Sequence, residues 1–245
     1  MTALRSVGAL GGLILLAATA VGLVGCQSTQ DRARRLAKQG SNAFKTRGLT
    51  VGRANPNVKV LGTQLLHDQN GSAVVAELRS SAPTTLTHVP LGLRVSSRSG
   101  ASLYQNNVAG LQPSLVEAAV LAPGKVFTWI DDQLPVDPTG GRARITPGQA
   151  KPPSGPVPLL VVSHPTLSVD PTSGPEAKGR VVNRSKVLQL RLVVFVTARK
   201  GGRLVAAGRG VVNKLAPGAV GSYSAFFIGD PTGATLTAEA PPVSP

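Results

Sequence analysis

Leu215-Ala216-Pro217-Gly218, together with the residues that follow it up to Phe227, is the stretch that decides the fold. Proline fixes φ at the first central position of a turn and glycine accepts positive φ at the next, so Pro217-Gly218 predicts a type II turn. The residues after the turn alternate between small polar and larger apolar side chains, as in a half-buried strand. The stretch therefore predicts a turn that leads directly into a β-strand.

The same unit occurs earlier in the chain, as Leu121-Ala122-Pro123-Gly124 followed by an alternating segment that ends in Trp129 and Ile130. Upstream, Glu77–Ser81 is similar to Val181–Ser185, and each is followed by a long apolar strand and a charged hairpin that contains glycine. The hairpins are Arg98-Ser99-Gly100 and Arg199-Lys200-Gly201-Gly202. Two tandem copies of one small β-sandwich explain this internal repeat.

Short runs rich in Val, Leu and Thr, broken by Gly, Pro, Ser and Asn, predict an all-β chain. The predicted strands are 58–67, 72–79, 89–96, 103–106, 114–121 and 125–132 in the first copy, and 159–162, 178–183, 189–198, 203–211, 221–228 and 235–240 in the second. Pro135–Pro158 is dense in proline and glycine, which favours an extended linker. We therefore expect a first sandwich at 56–134, a linker at 135–158 and a second sandwich at 159–245.

The amino terminus has the layout of a secretory leader, with Arg5 before an apolar run that ends in Leu23-Val24-Gly25-Cys26. This end resembles the lipobox of bacterial lipoproteins. The resemblance implies that residues 1–25 are a cleaved signal peptide, that the sulfur of Cys26 carries a diacylglycerol, and that the protein is held at the extracytoplasmic face of the cell membrane. An uncleaved anchor is the alternative, because the run approaches the roughly 20 residues of a spanning helix.

The chain is strongly basic, with 26 Lys and Arg against 11 Asp and Glu and a net charge of +15. Such a balance indicates polyanionic partners rather than a fold. Outside the cytoplasm these are anionic lipids or wall polymers, and we also expect protein partners in the envelope. Nucleic acid is excluded as a partner by the leader and by an aromatic content of 3%.

Two groups of cations are candidates for binding an anionic surface, one in a basic tether over residues 26–55 and one in the second sandwich. They are Arg32, Arg34, Arg35 and Lys38 in the tether, and Arg199, Lys200, Arg203 and Arg209 in the sandwich. The alternative for each group is a solvated spacer or a solubilising surface charge.

The second copy resembles the FxLYD-type domains of bacterial envelope lipoproteins. The resemblance rests on Gly179–Ser185, on the strand Leu190–Thr197, on the hairpin that follows it, and on Leu215–Gly218 with Tyr223 and Phe227. Thr197–Lys200 stands where the family has an aromatic-aspartate signature. The resemblance implies immunoglobulin-like sandwiches, no catalytic residues and an accessory role.

The residues provide little that points to catalysis or to a cofactor. There is no Gly-x-Ser-x-Gly elbow and no phosphate loop, and the single cysteine, Cys26, is assigned to the lipid. The three histidines, His67, His88 and His164, are far apart in sequence and predict no zinc site. Asp131-Asp132 with Asp137 is an alternative calcium site, but neighbouring strand residues point to opposite faces, so we expect no bound metal and no cofactor.

Two further features have a structural and a functional interpretation. Trp129 is expected in the core rather than as a sugar-stacking platform. Asn70-Gly71-Ser72 and Asn183-Arg184-Ser185 fit the glycosylation sequon, and we interpret both as turns.

These observations predict a non-catalytic, lipid-anchored protein of the cell envelope whose two sandwiches bind or scaffold other envelope components. The alternative is an accessory lipoprotein that captures a substrate for a transporter or an envelope enzyme complex. Its weakness is that capture proteins need two α/β lobes around a cleft, and the strand-helix alternation of such lobes is missing.

Overall fold

The structure, a computed structural model, describes residues 48–171 and 174–243, and all of these belong to one compact unit. The strands are β1 Val58–Asp68, β2 Gly71–Ser80, β3 Leu86–Ser96, β4 Ser102–Gln105, β5 Glu117–Leu121, β6 Val126–Asp131, β7 Arg142–Pro147, β8 Leu160–Val162, β9 Thr166–Asp170, β10 Gly174–Asn183, β11 Gln189–Lys200, β12 Arg203–Leu215, β13 Val220–Phe226, β14 Ile228–Gly229 and β15 Thr235–Glu239. A single turn of 3₁₀ helix spans Pro113–Leu115. The all-β prediction is confirmed.

The first module, β1 to β7, is a sandwich of two antiparallel sheets. One sheet has the order β1-β2-β6, and in the other β3 pairs with β4, β5 and β7. Along β3, Leu91, Leu93 and Val95 are buried and alternate with more exposed residues, because successive side chains of a strand point to opposite faces. These residues pack against Trp129 of the opposite sheet.

The second module, β8 to β15, repeats this topology. Its first sheet has β10 between β13 and the short strands β8 and β9, and its second sheet has the order β14-β12-β11-β15. By position β10 corresponds to β2, β13 to β6, β11 to β3, β12 to β4 and β5, and β15 to β7. The structure therefore contains two tandem sandwiches, as the internal repeat predicted.

The two Pro-Gly turns are equivalent in detail. Gly124 donates its backbone N–H to the carbonyl of Ser80, and Gly218 donates to that of Asn183 at nearly the same distance, 2.9 and 2.8 Å. Both glycines have positive φ, 68° and 74°, as a type II turn requires. Ser80 is thus the counterpart of Asn183, which shifts the alignment expected from the sequence by one residue.

A second shared feature is an irregularity near the start of β3 and β11. His88 and Arg191 have φ of 48° and 51°, and they are the only residues other than glycine with positive φ in the described part of the chain. Each directly precedes a fully buried core residue, Val89 or Leu192, and directly follows a paired residue, with Thr87 opposite Val120 and Leu190 opposite Lys214. The same strained conformation therefore occurs at equivalent positions of the two modules.

The expected linker at 135–158 needs a correction. Arg142–Pro147 forms β7, which pairs with β3 along its length, and Lys151 pairs with Thr87 beyond it. The segment therefore supplies the last strand of the first module, equivalent to β15 of the second. Proline and glycine density concealed a strand that is stabilised by its partner in the sheet rather than by local propensity.

Two smaller differences concern single elements. Residues 114–116 belong to the 3₁₀ turn and its cap, so the predicted strand at 114–121 begins only at Glu117. Strand β9, Thr166–Asp170, was not predicted, and it pairs with β10 beside β8.

The two modules do not form separate bodies, because sheet β1-β2-β6 packs against the β14-β12-β11 side of the second module. Val75 and Ile130 lie in one buried cluster with Phe195, Leu204 and Ala207. Strand β2 is therefore covered on both faces, which explains its nearly continuous apolar run. The sequence left the relative orientation of the two modules open, and this packing supplies it.

Candidate functional site

The interface between the modules contains a buried ion pair. Arg209 on β12 donates from Nε to Oδ1 of Asp132 at 2.7 Å and from its backbone N–H to Oδ2 at 3.0 Å, and a third bond reaches Oγ of Ser114 at 3.1 Å. The side chain of Arg209 is only 5% exposed. Several hydrogen bonds satisfy these charges, as a buried pair requires to offset its desolvation.

A second ion pair lies nearer the rim, where Arg199 contacts Oε1 of Glu77 at 2.6 Å. Glu239 of β15 lies close by. Burial raises the pKa of Glu239, the negative charge of Glu77 adds to that effect, and a hydrogen bond from the backbone N–H of Thr128 opposes it. The interface thus uses acidic groups of both modules.

The remainder of this interface is apolar. The rings of Phe127 and Phe195 meet edge to face, with centroids 5.3 Å apart and an angle of 88° between their planes. At the other side, Asp68 of β1 accepts a hydrogen bond from the backbone N–H of Gly229 at 2.8 Å. Apolar contact with satisfied polar groups fixes the orientation of the modules.

Of the four cations expected to form a basic surface in the second module, two are paired at the interface and two are exposed. Arg209 and Arg199 are held by Asp132 and Glu77 of the first module, while Lys200 and Arg203 remain exposed at the hairpin tip. Arg209 is therefore not part of an exposed basic surface. The sequence could not show this, because the partners are more than seventy residues away. The tether candidates, Cys26, Arg32, Arg34, Arg35 and Lys38, lie outside the described residues.

The acidic candidates for a calcium site have different surroundings. Asp132 faces Arg209, whereas Asp131 is buried in the first module. Burial raises the pKa of Asp131 to about 6, and the hydrogen bond from the Gln133 N–H and the charge of Arg209 oppose this shift. Asp137 is exposed and accepts hydrogen bonds from Thr139. Within 48–171 and 174–243, no group of three or more His, Cys, Asp or Glu side chains is arranged to hold a metal ion.

The histidines occupy three unrelated places. His67 contacts Ser72 at 2.8 Å and lies 3.6 Å from Asp137, and His88 contacts Glu117 at 3.0 Å. His164 is exposed in the segment between β8 and β9. The structure therefore brings no two of them together.

Trp129 and Asn183 have the structural roles expected of them. Trp129 is fully buried and donates from Nε1 to the carbonyl of Ser114 at 2.8 Å, so it is a core residue. Asn183 is also fully buried, and its amide donates to the carbonyls of Val187 and Leu215. Asn183 is a turn residue whose side chain has no access to solvent.

The sequence analysis missed a group of exposed arginines on the outer surface of β3 and β7, which we call the arginine face. It consists of Arg94, Arg98, Arg142 and Arg144. Arg142 and Arg144 were hidden in the segment predicted to be a linker. Their alternation with Ala143 and Ile145 is the signal that could have revealed the strand and its charged outer side.

A small cavity lies where the modules meet. It has a volume of about 190 Å³ and is lined mainly by apolar groups, including Leu190, Val193 and Phe195, with His88, Glu117 and Arg191 among the lining residues. Pockets for small molecules usually measure about 300–1,000 Å³. The cavity is therefore small for a captured substrate.

No family model matches this sequence, and no curated protein matches it significantly. In the described part of the chain, no helix has the length and apolar character needed to cross a bilayer. The function is therefore argued from the residues and geometry of this chain alone.

Proposed function

We propose that this protein is a non-catalytic lipoprotein of the cell envelope, attached through Cys26 at the extracytoplasmic face of the membrane. Its two sandwiches bind or scaffold other envelope components. The anchor is supported by Leu23–Cys26 at the end of an apolar leader. The basic tether supports it further, because one acyl signal holds best when a second signal, such as a polybasic segment, joins it.

The observation that carries the scaffold role is the buried interface between the modules. Arg209 and Asp132, with the apolar cluster around Phe195, fix the two sandwiches relative to each other. A rigid pair presents its exposed surfaces at a constant distance and angle, which reduces the entropy lost when a large partner binds. Flexible modules on a long linker would not provide this advantage.

We also propose that both modules are FxLYD-like. The residues that carry the resemblance occupy one sandwich, with Asn183 in a turn, a hairpin between β11 and β12, and Leu215–Gly218 leading into β13. The same turn and topology in the first module extend the proposal to it.

The test of the anchor is the chemical state of Cys26 in cells. We expect mature protein that begins at Cys26 and carries the mass of an acylated amino terminus, and we expect Cys26→Ser to release the protein from membranes. A full-length chain with its leader intact and a free thiol at Cys26 would refute the anchor. Crosslinking in intact cells then identifies the bound components, and recovery of the protein without any envelope partner would refute the scaffold role.

The second candidate is capture of a small substrate, and the size of the cavity at the module junction limits it to a ligand smaller than most pockets hold. A thermal-shift screen with metals, sugars and peptides tests it, because a ligand that binds only the native state raises the unfolding temperature. Substitution of Val193 by Phe, which fills the cavity, should abolish any such shift.

A further inference from the structure

The arginine face is a concentration of positive charge without acidic partners. Arg94 and Arg144 are direct register partners on β3 and β7, and Arg142 lies opposite Ser96, one step further along the same side of the sheet. Arg98, in the hairpin after β3, has its guanidinium next to Gly140 at the same end. Among the described residues none of the five ion pairs involves any of these four arginines.

This arrangement is unfavourable for the folded protein by itself, because like charges directly opposite each other in a sheet repel. The second module shows that the fold does not need them. There the positions equivalent to Arg94 and Arg144 are Thr197 and Thr237, whose hydroxyls form a 2.7 Å hydrogen bond. The outer face of β11 packs against the first module. The equivalent face of β3 in the first module, which carries Arg94, is exposed to solvent.

The chain enters the first module over this same side of the sheet. Val51 lies against Gly92 and Gly148, where a side chain in place of either glycine would collide with it. Gly92 precedes Arg94 by two residues and therefore shares its face. Ala54 then forms a bridge with Gly148. The end of the tether thus lies on the same side of the sheet as the arginine face.

We propose that the arginine face binds the phosphate groups of anionic phospholipids, so that the first module lies against the membrane that holds Cys26. Arginine suits this ligand because its planar guanidinium donates two hydrogen bonds to one phosphate. The inference deepens the proposed function and rests on it for the presence of the membrane. Wall polymers that carry phosphate offer the same chemistry, but the tether brings this side of the protein to the lipid surface.

The experiment measures binding to vesicles by the mature chain, residues 26–245, carrying Cys26→Ser, so that neither the leader nor an acyl group contributes. The vesicles contain equal parts of phosphatidylglycerol and phosphatidylcholine, and vesicles of phosphatidylcholine alone are the reference. The test variant replaces Arg94, Arg142 and Arg144 by Gln. We expect its affinity to fall on the order of a hundredfold, because each of the three cations near an anionic surface contributes about fivefold.

A matched control replaces three exposed basic residues of the second module that are not candidates for surface binding, Arg180, Arg184 and Lys214, by Gln, which removes the same charge. Its affinity should fall by less than tenfold. Equal losses for the two variants would overturn the proposal, as would a chain that binds both kinds of vesicle equally. The test variant should also unfold at the same or a higher temperature, because repulsion is removed, and a variant that fails to fold would contradict the exposed placement of these residues.

Soluble polyphosphate distinguishes the two sources of phosphate. If polyphosphate at the same phosphate concentration competes as well as anionic vesicles do, the face recognises a polymer and the membrane assignment is overturned. Weak competition supports the lipid surface. Failure of the lipid anchor itself would appear separately, in the mass of Cys26 from cells, since the vesicle assay does not depend on acylation.

Discussion

Asp131 gives the sharpest prediction about stability, because it is a carboxyl group that the fold buries without a full set of partners. It is 1% exposed, its Oδ1 accepts a hydrogen bond from the backbone N–H of Gln133, and its Oδ2 has no partner among the described residues. Burial raises its pKa from 3.8 to about 6, the positive charge of Arg209 opposes that shift, and Asp132 adds to it. The charged form is thus less stable in the folded protein than in the unfolded chain.

The size and sign of the effect follow from this shift. Well below pH 3.8 the carboxyl is protonated in both states and contributes nothing. Between about pH 4 and pH 6 the unfolded chain has released the proton while the folded protein keeps it, so stability falls as pH rises. A shift of roughly two pKa units corresponds to about 3 kcal/mol, and this penalty is complete above about pH 6.

Asp131→Asn removes the titration and keeps the shape of the side chain. Urea unfolding, followed by the fluorescence of Trp129 at pH 4, 5, 6 and 7, measures the difference in free energy of unfolding between variant and wild type. This difference should move in favour of the variant by about 2 kcal/mol between pH 4 and pH 7, because part of the full effect is already present at pH 4. A difference that is independent of pH would refute the reasoning, whatever its absolute value.

Two controls accompany this variant. Asp137→Asn should behave in the opposite way, because hydrogen bonds from Thr139 lower the pKa of Asp137 in the folded protein. The ionised carboxylate therefore stabilises the wild type above the unfolded pKa, and the variant should become less stable than the wild type as the pH rises toward neutral. The phenol of Tyr104, whose pKa is raised to about 12 by burial and then by the charge of Asp131, should titrate at lower pH in Asp131→Asn.

Three further substitutions test the packing. Arg209→Ala should lower the free energy of unfolding by about 3–5 kcal/mol in urea, because it leaves Asp132 buried without its partner, and adding Asp132→Asn should recover part of that loss. Tyr223→Phe should leave the free energy of unfolding unchanged or raise it by about 1–3 kcal/mol, because the tyrosine hydroxyl is buried without a hydrogen-bond partner. A clear loss of stability would count against this placement of the hydroxyl. Gly218→Ala should cost about 1–2 kcal/mol at φ 74°, whereas Gly52→Ala, with open space around it, should change the denaturation midpoint little.

Much of the fold was predictable because its signals are local. Pro217-Gly218 and its earlier counterpart specify turns through the φ angles of two residues, and the alternation along β3 identifies a strand whatever pairs with it. The strands with strong alternation were accordingly placed within a few residues. β7 was not, because it is stabilised mainly by hydrogen bonds to β3, which is distant in sequence. β9 was also missed, although it pairs with β10, the strand that follows it directly.

The candidate site was less predictable than the fold. Arg209 and Arg203 are both arginines on one strand, and only the position of Asp132 in the other module decides that the first is buried and the second exposed. The arginine face also depends on distant residues, since Arg94 and Arg144 come together only through the register of β3 with β7.

By itself, the sequence determined the all-β class and the repeat, because turn residues and side-chain alternation act over a few neighbouring positions. The leader over residues 1–25 stays a prediction. The tertiary structure decided how the two sandwiches join and which charges face solvent. These outcomes depend on the free energy of burying surfaces from distant segments against each other, so no local pattern in the chain contains them.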